Sequence, residues 1–425
     1  MKTFRLFLFA FLLFTISGFR TNYQEEDTYF LLKPDQVFDG QAMHNSWVVL
    51  VKNDKIEFAG DKNKLTVPTS AKEIELKGMT LLPGFIEGHS HLFLHPYNET
   101  SWNDQVLTES RAERTARAVE HAKATLLAGF TTVRDLGTEG AGYDDVGLKT
   151  AINKGIIIGP RMLVATRAIV ATGSYGPKSD VAELQIIKGA EEADGTEGIT
   201  RVVRSQIGHG ADVIKLYADY RWGLNDVAAP TFTSEELKKA VDVANSSGRS
   251  VIVHAATEEG MRRSIAAGVT TIEHGDGGNP EIFKLMKEKG IALCPTIAAT
   301  EAISTYHGWK KGLDPMPESV IKKHYIFSEA MKAGVTICMG GDVGVFPHGE
   351  NSREMILMAE YGMPAIDVLC SATSINAKVF GLPNLRNVKQ GFLADLIAVE
   401  GNPVDDIKLV KKVTFVMKGG IILKQ

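Results

Sequence analysis

Residues 82–94 read LPGFIEGHSHLFL, an apolar run that ends in two histidines one residue apart. Alternate side chains of an extended strand share a face, so His89 and His91 point the same way and Ser90 is turned from them. Two imidazoles on one face can share a metal ion, and they can equally be polar residues where a strand meets its loop. Four more polar residues interrupt apolar runs: Lys215 in DVIKLYAD, His254 in SVIVHAAT, His274 in TTIEHGD and Asp342 at the end of TICMGGD. Each has an ordinary explanation. Lys215 can snorkel to a rim, His254 can be satisfied in a core, His274 can cap a turn with Gly275, and Asp342 can N-cap the next segment. Against all of these stands the coincidence that the six fall toward the ends of five strands.

The elements that must position them show a regular pattern. From Leu82 onward, strand-like runs alternate with amphipathic runs such as SRAERTARAVEHAKATLLAGF, GITRVVRSQIGHG and TSEELKKAVDVANSSG. Counting from LPGFIEGHSHL there are eight strands, VTICMGGD being the eighth, each followed by a helix. That repeat predicts an α/β fold, a (β/α)8 TIM barrel rather than an open doubly wound sheet, with its chemistry at the C-terminal ends of the strands. The segments FLLKPDQVFDG, SWVVLVKNDKIEFAG and AKEIELKGMTLLPG before the barrel, and FLADLIAVEG and VTFVMKGGIILK after it, read as short strands between turns. They are expected to pair into one small β-sandwich domain built from both chain ends. The predicted division is a signal peptide at 1–20, N-terminal sandwich strands at 24–82, the barrel at 83–382 and C-terminal sandwich strands at 383–425.

The bulk numbers narrow the partners. The chain has 425 residues, 44% of them hydrophobic and 23% charged, and a net charge of -4, which offers no electrostatic case for nucleic acid. The expected partner is a small molecule. The start, MKTFRLFLFAFLLFTISGF, carries Lys2 and Arg5 ahead of an apolar run too short for a comfortable membrane span, the layout of a secretory signal. Export to a periplasm or the outside is the expectation, with an uncleaved membrane anchor as its alternative. Three cysteines, Cys294, Cys338 and Cys370, do not make an even disulfide framework. Cys294 and Cys338 lie in neighbouring strand-like runs where a bridge is conceivable and a buried thiol is the ordinary role. His121 and His324 in helical patterns and His209 near a helix end read as surface residues, while His95 and His307 lie in loops that can reach the barrel mouth.

The motifs LLPGFIEGHSHL, GADVIKLY, VIVHA, TIEHG and GGD, with the closing GFLADLIAVEGNPVDDI, resemble the amidohydrolase superfamily of metal-dependent hydrolases, in the same order and over nearly the whole chain. The resemblance implies that His89, His91, His254, His274 and Asp342 are metal ligands and that Lys215 is N6-carboxylated to bridge two divalent metal ions. On that reading His89, His91 and Asp342 hold the more buried ion, and His254 with His274 the more exposed one. Zinc suits such ligands, with manganese, cobalt and iron as alternatives. Two ions about 3.5 to 4 Å apart lower the pKa of a water between them and polarise a scissile carbonyl, and Asp342 is the natural proton acceptor. No G-x-G-x-x-G fingerprint or P-loop argues for a nucleotide cofactor.

TVRDLG at Arg134, TRAIVATGSYG and GVFPHGENSREM resemble most closely the branch of zinc dipeptidases and carboxypeptidases that act on Xaa-Pro or Xaa-Arg/Lys dipeptides and N-acyl amino acids. His348, in the Pro-His-Gly motif, is expected either at the substrate end of the site or capping the next helix. Tyr175 stands where relatives commonly have histidine. The loop YADYRWG brings Tyr217, Tyr220, Arg221 and Trp222 near the mouth, where Arg221 can clamp a substrate carboxylate and Tyr217 can donate to the scissile carbonyl oxygen; solvated roles suit Tyr220 and Trp222. One rival reading is a hydrolase of cyclic amides, lactones or phosphotriesters on the same fold. Another is a non-catalytic binding module, which the retention of all six residues opposes. Deamination within the superfamily usually proceeds with one metal and no bridging lysine, so Lys215 speaks against it. Dimers or larger rings are frequent in such enzymes, and a homo-oligomer stays open.

Overall fold

The structure is a computed structural model that describes residues 27–181 and 183–425. The expected signal peptide at 1–20 lies outside the described residues. No described helix is long and apolar enough to cross a membrane.

Strands from the two chain ends share one eight-stranded sheet. The strand Lys72–Pro83 is its seam, pairing in parallel with Tyr29–Phe38 on one side and antiparallel with Leu396–Glu400 on the other. Strand alternation gives the sheet two apolar faces: Leu32, Val37, Val49 and Val51 pack on one, Leu31, Val48 and Leu50 on the other. In hydrogen-bonding terms the two ends form a single continuous sheet.

The strand Lys72–Pro83 runs through Gly84 directly into β1 (Phe85–Ser90). The next strands are β2 (Phe130–Asp135), β3 (Arg161–Val164), β4 (Ile214–Tyr217), β5 (Val251–Ala255), β6 (Thr271–His274) and β7 (Ala292–Cys294), with helices between them. β1, β2 and β3 are parallel neighbours, as are β4, β5, β6 and β7. The Asp212 amide donates to the Val164 carbonyl at 2.8 Å, linking the end of β3 to the approach of β4. The arrangement is α/β and TIM-barrel-like. Its helices start and stop where side chains dictate: Ser110, Thr233, Thr257 and Asn279 cap N-termini, and Gly268, Gly290 and Gly334 end helices with left-handed backbone.

The eighth strand departs from expectation. VTICMGGD forms no ladder, only isolated bridges from Ile337 to Leu293 and from Val343 to Ser90. Between them the backbone runs too close to β1 for side chains. A Cβ on Gly340 would lie 2.8 Å from the His89 nitrogen, and one on Gly88 would lie 2.4 Å from the Met339 oxygen. The gap is closed by Asn376, whose side-chain amide donates to the Ile86 carbonyl at 2.9 Å and the Met339 carbonyl at 2.7 Å. Asn376 comes directly after a π-helical turn, Ser371–Ile375, inside what the sequence predicts as one helix over 365–380. Cys294, Cys338 and Cys370 are free thiols, so the conceivable Cys294 to Cys338 bridge is not formed; both of these thiols are buried beneath Ile375, Val379 and Phe380.

Candidate active site

The C-terminal ends of the barrel strands open on a cavity of about 300 Å³. Its walls include His89, His91, His254, His274 and Asp342, together with Tyr175, Tyr217, Tyr220 and Arg221. Register sets the stagger: Tyr217 of β4 pairs with His254 of β5, and Ala255 pairs with His274 of β6. Lys215, two residues before Tyr217, is buried below them, with its amine 5.6 Å from the centre of the Tyr217 ring. One ligand atom each from His89, His274 and Asp342 lies within 4.8 Å of the others. Asp342 Oδ1 is 3.3 Å from His91 Nε2 and 3.5 Å from His89 Nε2.

Backbone strain helps to aim these groups. His274, Thr296 and Asp342 adopt left-handed φ values of 69°, 50° and 62°, unusual for residues with side chains. Hydrogen bonds then fix the rings. His91 Nδ1 contacts the Gly137 carbonyl at 2.9 Å, His274 Nδ1 contacts Thr296 Oγ1 at 2.8 Å, and His89 Nδ1 contacts Glu273 Oε2 at 2.9 Å. Where these Nδ1 atoms donate, each Nε2 presents a lone pair to the cavity.

Burial governs the charges. It pushes His89 down to about 4 and His254 down to about 3, with Lys215 adding to both, and it carries His274 well below the ordinary histidine value. The same desolvation lowers the Lys215 ammonium, favouring a free amine. Burial alone would raise Asp342, but His89, His91 and Lys215 hold it below the usual carboxylate range. Neutral imidazoles at His89, His254 and His274, a retained Asp342 carboxylate and a deprotonatable lysine are donors that suit divalent cations of the zinc class.

Several residues of the site carry no sequence motif that singles them out. Glu273, in the middle of TIEHG, accepts from the Arg134 guanidinium at 2.9 Å while orienting His89, and Arg134 also donates to the Gly88 carbonyl and stacks on Phe380. Asp219 accepts from the Ala256 and Thr257 amides at the start of the helix Glu258–Ala267 and lies 3.7 Å from His254 Nε2. Lys323 donates to the His274 and Pro295 carbonyls and pairs with Asp276 on the cavity wall. Tyr97 and Glu139 line the cavity as well. An acid inside an apolar strand is the one available signal, and it marks Glu273.

His348 is placed elsewhere. It is absent from the cavity wall, its Nε2 contacts the Leu94 carbonyl at 3.0 Å, and its ring stacks on His121 at 4.2 Å. It makes no cap for the helix Ser352–Glu360 either. His121 is half-buried, with Nδ1 on the Leu92 carbonyl. His95 is buried between Glu99 and Glu109 and does not reach the mouth. Tyr220 and Arg221 belong to a short hairpin, Asp219–Arg221 with Ala228–Pro230, whose strut is Trp222, donating to the Ala229 and Pro230 carbonyls outside the cavity.

A mouth ringed by histidines and carboxylates is a polar, metal-capable cavity of the kind that metal-dependent hydrolases use. The chain belongs to the amidohydrolase family, whose model matches residues 80–423. It is a hydrolase of amide or peptide bonds, in a family that generally uses metal ions. It is 31% identical to ochratoxinase of Aspergillus niger, over 91% of this chain and 84% of that protein. Among solved structures it is similar to a Xaa-Pro dipeptidase with methionine bound in the active site, with a TM-score of 0.81, 31% identity and coverage of 94% of this chain and all of that one. A prolidase complexed with N-methylphosphonate-L-proline gives a TM-score of 0.80 at 27% identity, over 94% of this chain and 100% of that one.

Proposed function

We propose that this protein is an exported binuclear amidohydrolase that cleaves small amides whose amine portion carries a free carboxylate: Xaa-Pro or Xaa-Arg/Lys dipeptides and N-acyl amino acids. The observation that carries the reading is the gathering of His89, His91, His254, His274 and Asp342 around one cavity with Lys215 buried beneath it. A volume of about 300 Å³, at the small end of ligand cavities, suits a dipeptide better than a long chain.

In this proposal His89, His91 and Asp342 would hold one divalent cation and His254 with His274 the other. Lys215, as a free amine, would add carbon dioxide at Nζ and release a proton, and the resulting anionic carbamate would serve as a further ligand for the ions. When bound, the cations activate a water and polarise the scissile carbonyl. Asp342 accepts the proton of the attacking water and delivers it to the leaving amine nitrogen, so that water is consumed and acid and amine are released. Tyr217 donates its hydroxyl to the carbonyl oxygen, and Arg221 holds the substrate carboxylate. The scaffold is read as a (β/α)8 barrel at 83–382, with 24–82 and 383–425 forming a β-sandwich beside it. Residues 1–20 are read as the export signal; fused to a reporter that lacks one, they should direct it out of the cytoplasm, and retention of the reporter would refute export.

The central test is amine release by zinc-reconstituted protein, with bicarbonate, across Xaa-Pro, Xaa-Arg, Xaa-Lys and N-acyl amino acids. Activity confined to one C-terminal residue class, and abolished by Lys215→Ala together with loss of bound metal, supports the reading. Silence from protein that holds two metal ions overturns the dipeptidase assignment and turns attention to lactones and cyclic amides.

A further inference from the structure

Glu139 is a carboxylate on the cavity wall that the proposed reaction does not use. It is 1% exposed. Its Oε2 accepts from the Tyr175 hydroxyl at 2.8 Å and from the Trp102 indole at 3.1 Å. Its Oε1 is shielded from solvent and has no hydrogen-bond partner. A bare, buried carboxylate oxygen is costly and calls for a donor or a cation.

The neighbouring cationic groups are committed elsewhere. The Arg114 guanidinium is spent on the carbonyls of Phe93, Thr138 and Glu139. His91 Nδ1 comes no nearer than 4.0 Å to Oε1 and makes its hydrogen bond to the Gly137 carbonyl. The space beside the carboxylate is aromatic. Tyr97, Tyr175, Tyr217 and Tyr220 all line the cavity, with the Tyr175 ring centre 4.7 Å from that of Tyr217 and 4.8 Å from that of Tyr220. Ring faces attract cations, and a carboxylate among them adds a full opposite charge.

We propose that Glu139 and this tyrosine wall form the subsite for a positively charged group of the substrate, an ammonium or a guanidinium. The inference rests on the amide-hydrolase reading above and narrows it. With Arg221 available for a carboxylate, the preferred substrate carries both charges, as an unblocked dipeptide or an acylated basic amino acid does, in preference to an N-acyl amino acid that carries no cation.

Two measurements test it on the zinc-loaded full chain. Calorimetry compares L-alaninamide with N-acetyl-L-alaninamide, which differ in the cation. Wild type should bind the cation about tenfold more tightly or better, and Glu139→Gln should erase that difference while keeping the wild-type melting transition. Kinetics compare alanyl-norleucine, N-acetyl-lysine and N-acetyl-norleucine, which place the cation at the α-amine, on the side chain or nowhere. Glu139→Gln should lower the ratio of kcat/KM for a substrate that bears an ammonium over the one that bears none about tenfold. Which ratio falls identifies the source of the charge. Equal affinity for the two amides, or an equal loss on all three substrates, overturns the proposal and leaves Glu139 as a post for Tyr175 and Trp102. If none of the three is hydrolysed but the calorimetric preference holds, the dipeptidase and N-acyl amino acid reading falls and the cation subsite stands.

Discussion

At the scale of the residue, the site depends on acids that hold its histidines. Glu273 is the clearest, because one oxygen orients His89 and the other meets Arg134. Burial alone would raise it, but Arg134 and His89 keep it below the usual carboxylate range, so it stays an acceptor. Glu273→Gln should weaken metal binding by about 10- to 100-fold in a chelator competition titration; unchanged affinity would make Glu273 merely a partner of Arg134. The histidines also set an acid limit on the metal-free protein. His89 and His254 are held at about 4 and about 3 when folded, below the ordinary value near 6.5. As pH falls below about 6.5 the unfolded chain binds protons that the folded chain refuses, so stability falls by on the order of 2 kcal/mol per histidine by about pH 5. Urea melts of metal-free protein at pH 7 and pH 5 should show it, and His254→Asn should flatten the trend. His91 titrates the other way, raised to about 9 by Asp342 against the pull of burial, so its contribution is complete in this window and disappears only in alkali. The six polar residues that interrupt apolar strands are legible in the sequence, because a charge or imidazole in such a run needs a reason. Glu139 and Asp219 are not, because acids in loops are common and only the fold reveals that these two are buried.

At the scale of the element, the irregular pieces carry precision. The helix Ile297–Tyr306 begins at Thr296, which is turned toward His274 and makes no side-chain cap. Its first amides are instead satisfied from a distant helix, by Glu354 on the nitrogens of Ile297 at 3.0 Å and Ala298 at 2.7 Å. Glu354→Ala should cost about 1 to 3 kcal/mol in chemical denaturation and weaken the metal held by His274. A loss of stability with no effect on metal binding would separate the cap from the site. Asn376→Ala should cost a similar amount, about 1 to 3 kcal/mol, by removing the donor shared by the Ile86 and Met339 carbonyls at the β1 seam, where Met339 keeps the Gly88 amide at 3.1 Å. The strand and helix alternation that predicts the barrel-like order is legible because apolar period and caps agree along the chain. The eighth strand, the π turn and the hairpin after β4 are not, since each is decided by a close approach of distant backbone that no local pattern records.

At the scale of the molecule, metal and fold should be linked, since the proposed ligands come from β1, β4, β5, β6 and the segment before Val343. Removing bound metal with a chelator should lower the melting temperature by several degrees, reflecting about 4 kcal/mol if the ion is held at a thousand times its Kd. Zinc with bicarbonate should restore it, and a midpoint indifferent to both would place the ions outside the folding balance. One last feature concerns birth order rather than catalysis. Pro83, at the end of the strand that leads into the barrel, pairs in register with Leu396, which emerges from the ribosome only after the whole barrel sequence. Until then one flank of the strand Lys72–Pro83 has no neighbour, and it ends in the apolar run Leu81, Leu82 and Pro83. The nascent chain must therefore carry a sticky, half-finished sheet through most of its synthesis. A stop codon anywhere before Leu396 leaves that edge open for good, so such truncations should aggregate although most of the chain has been made.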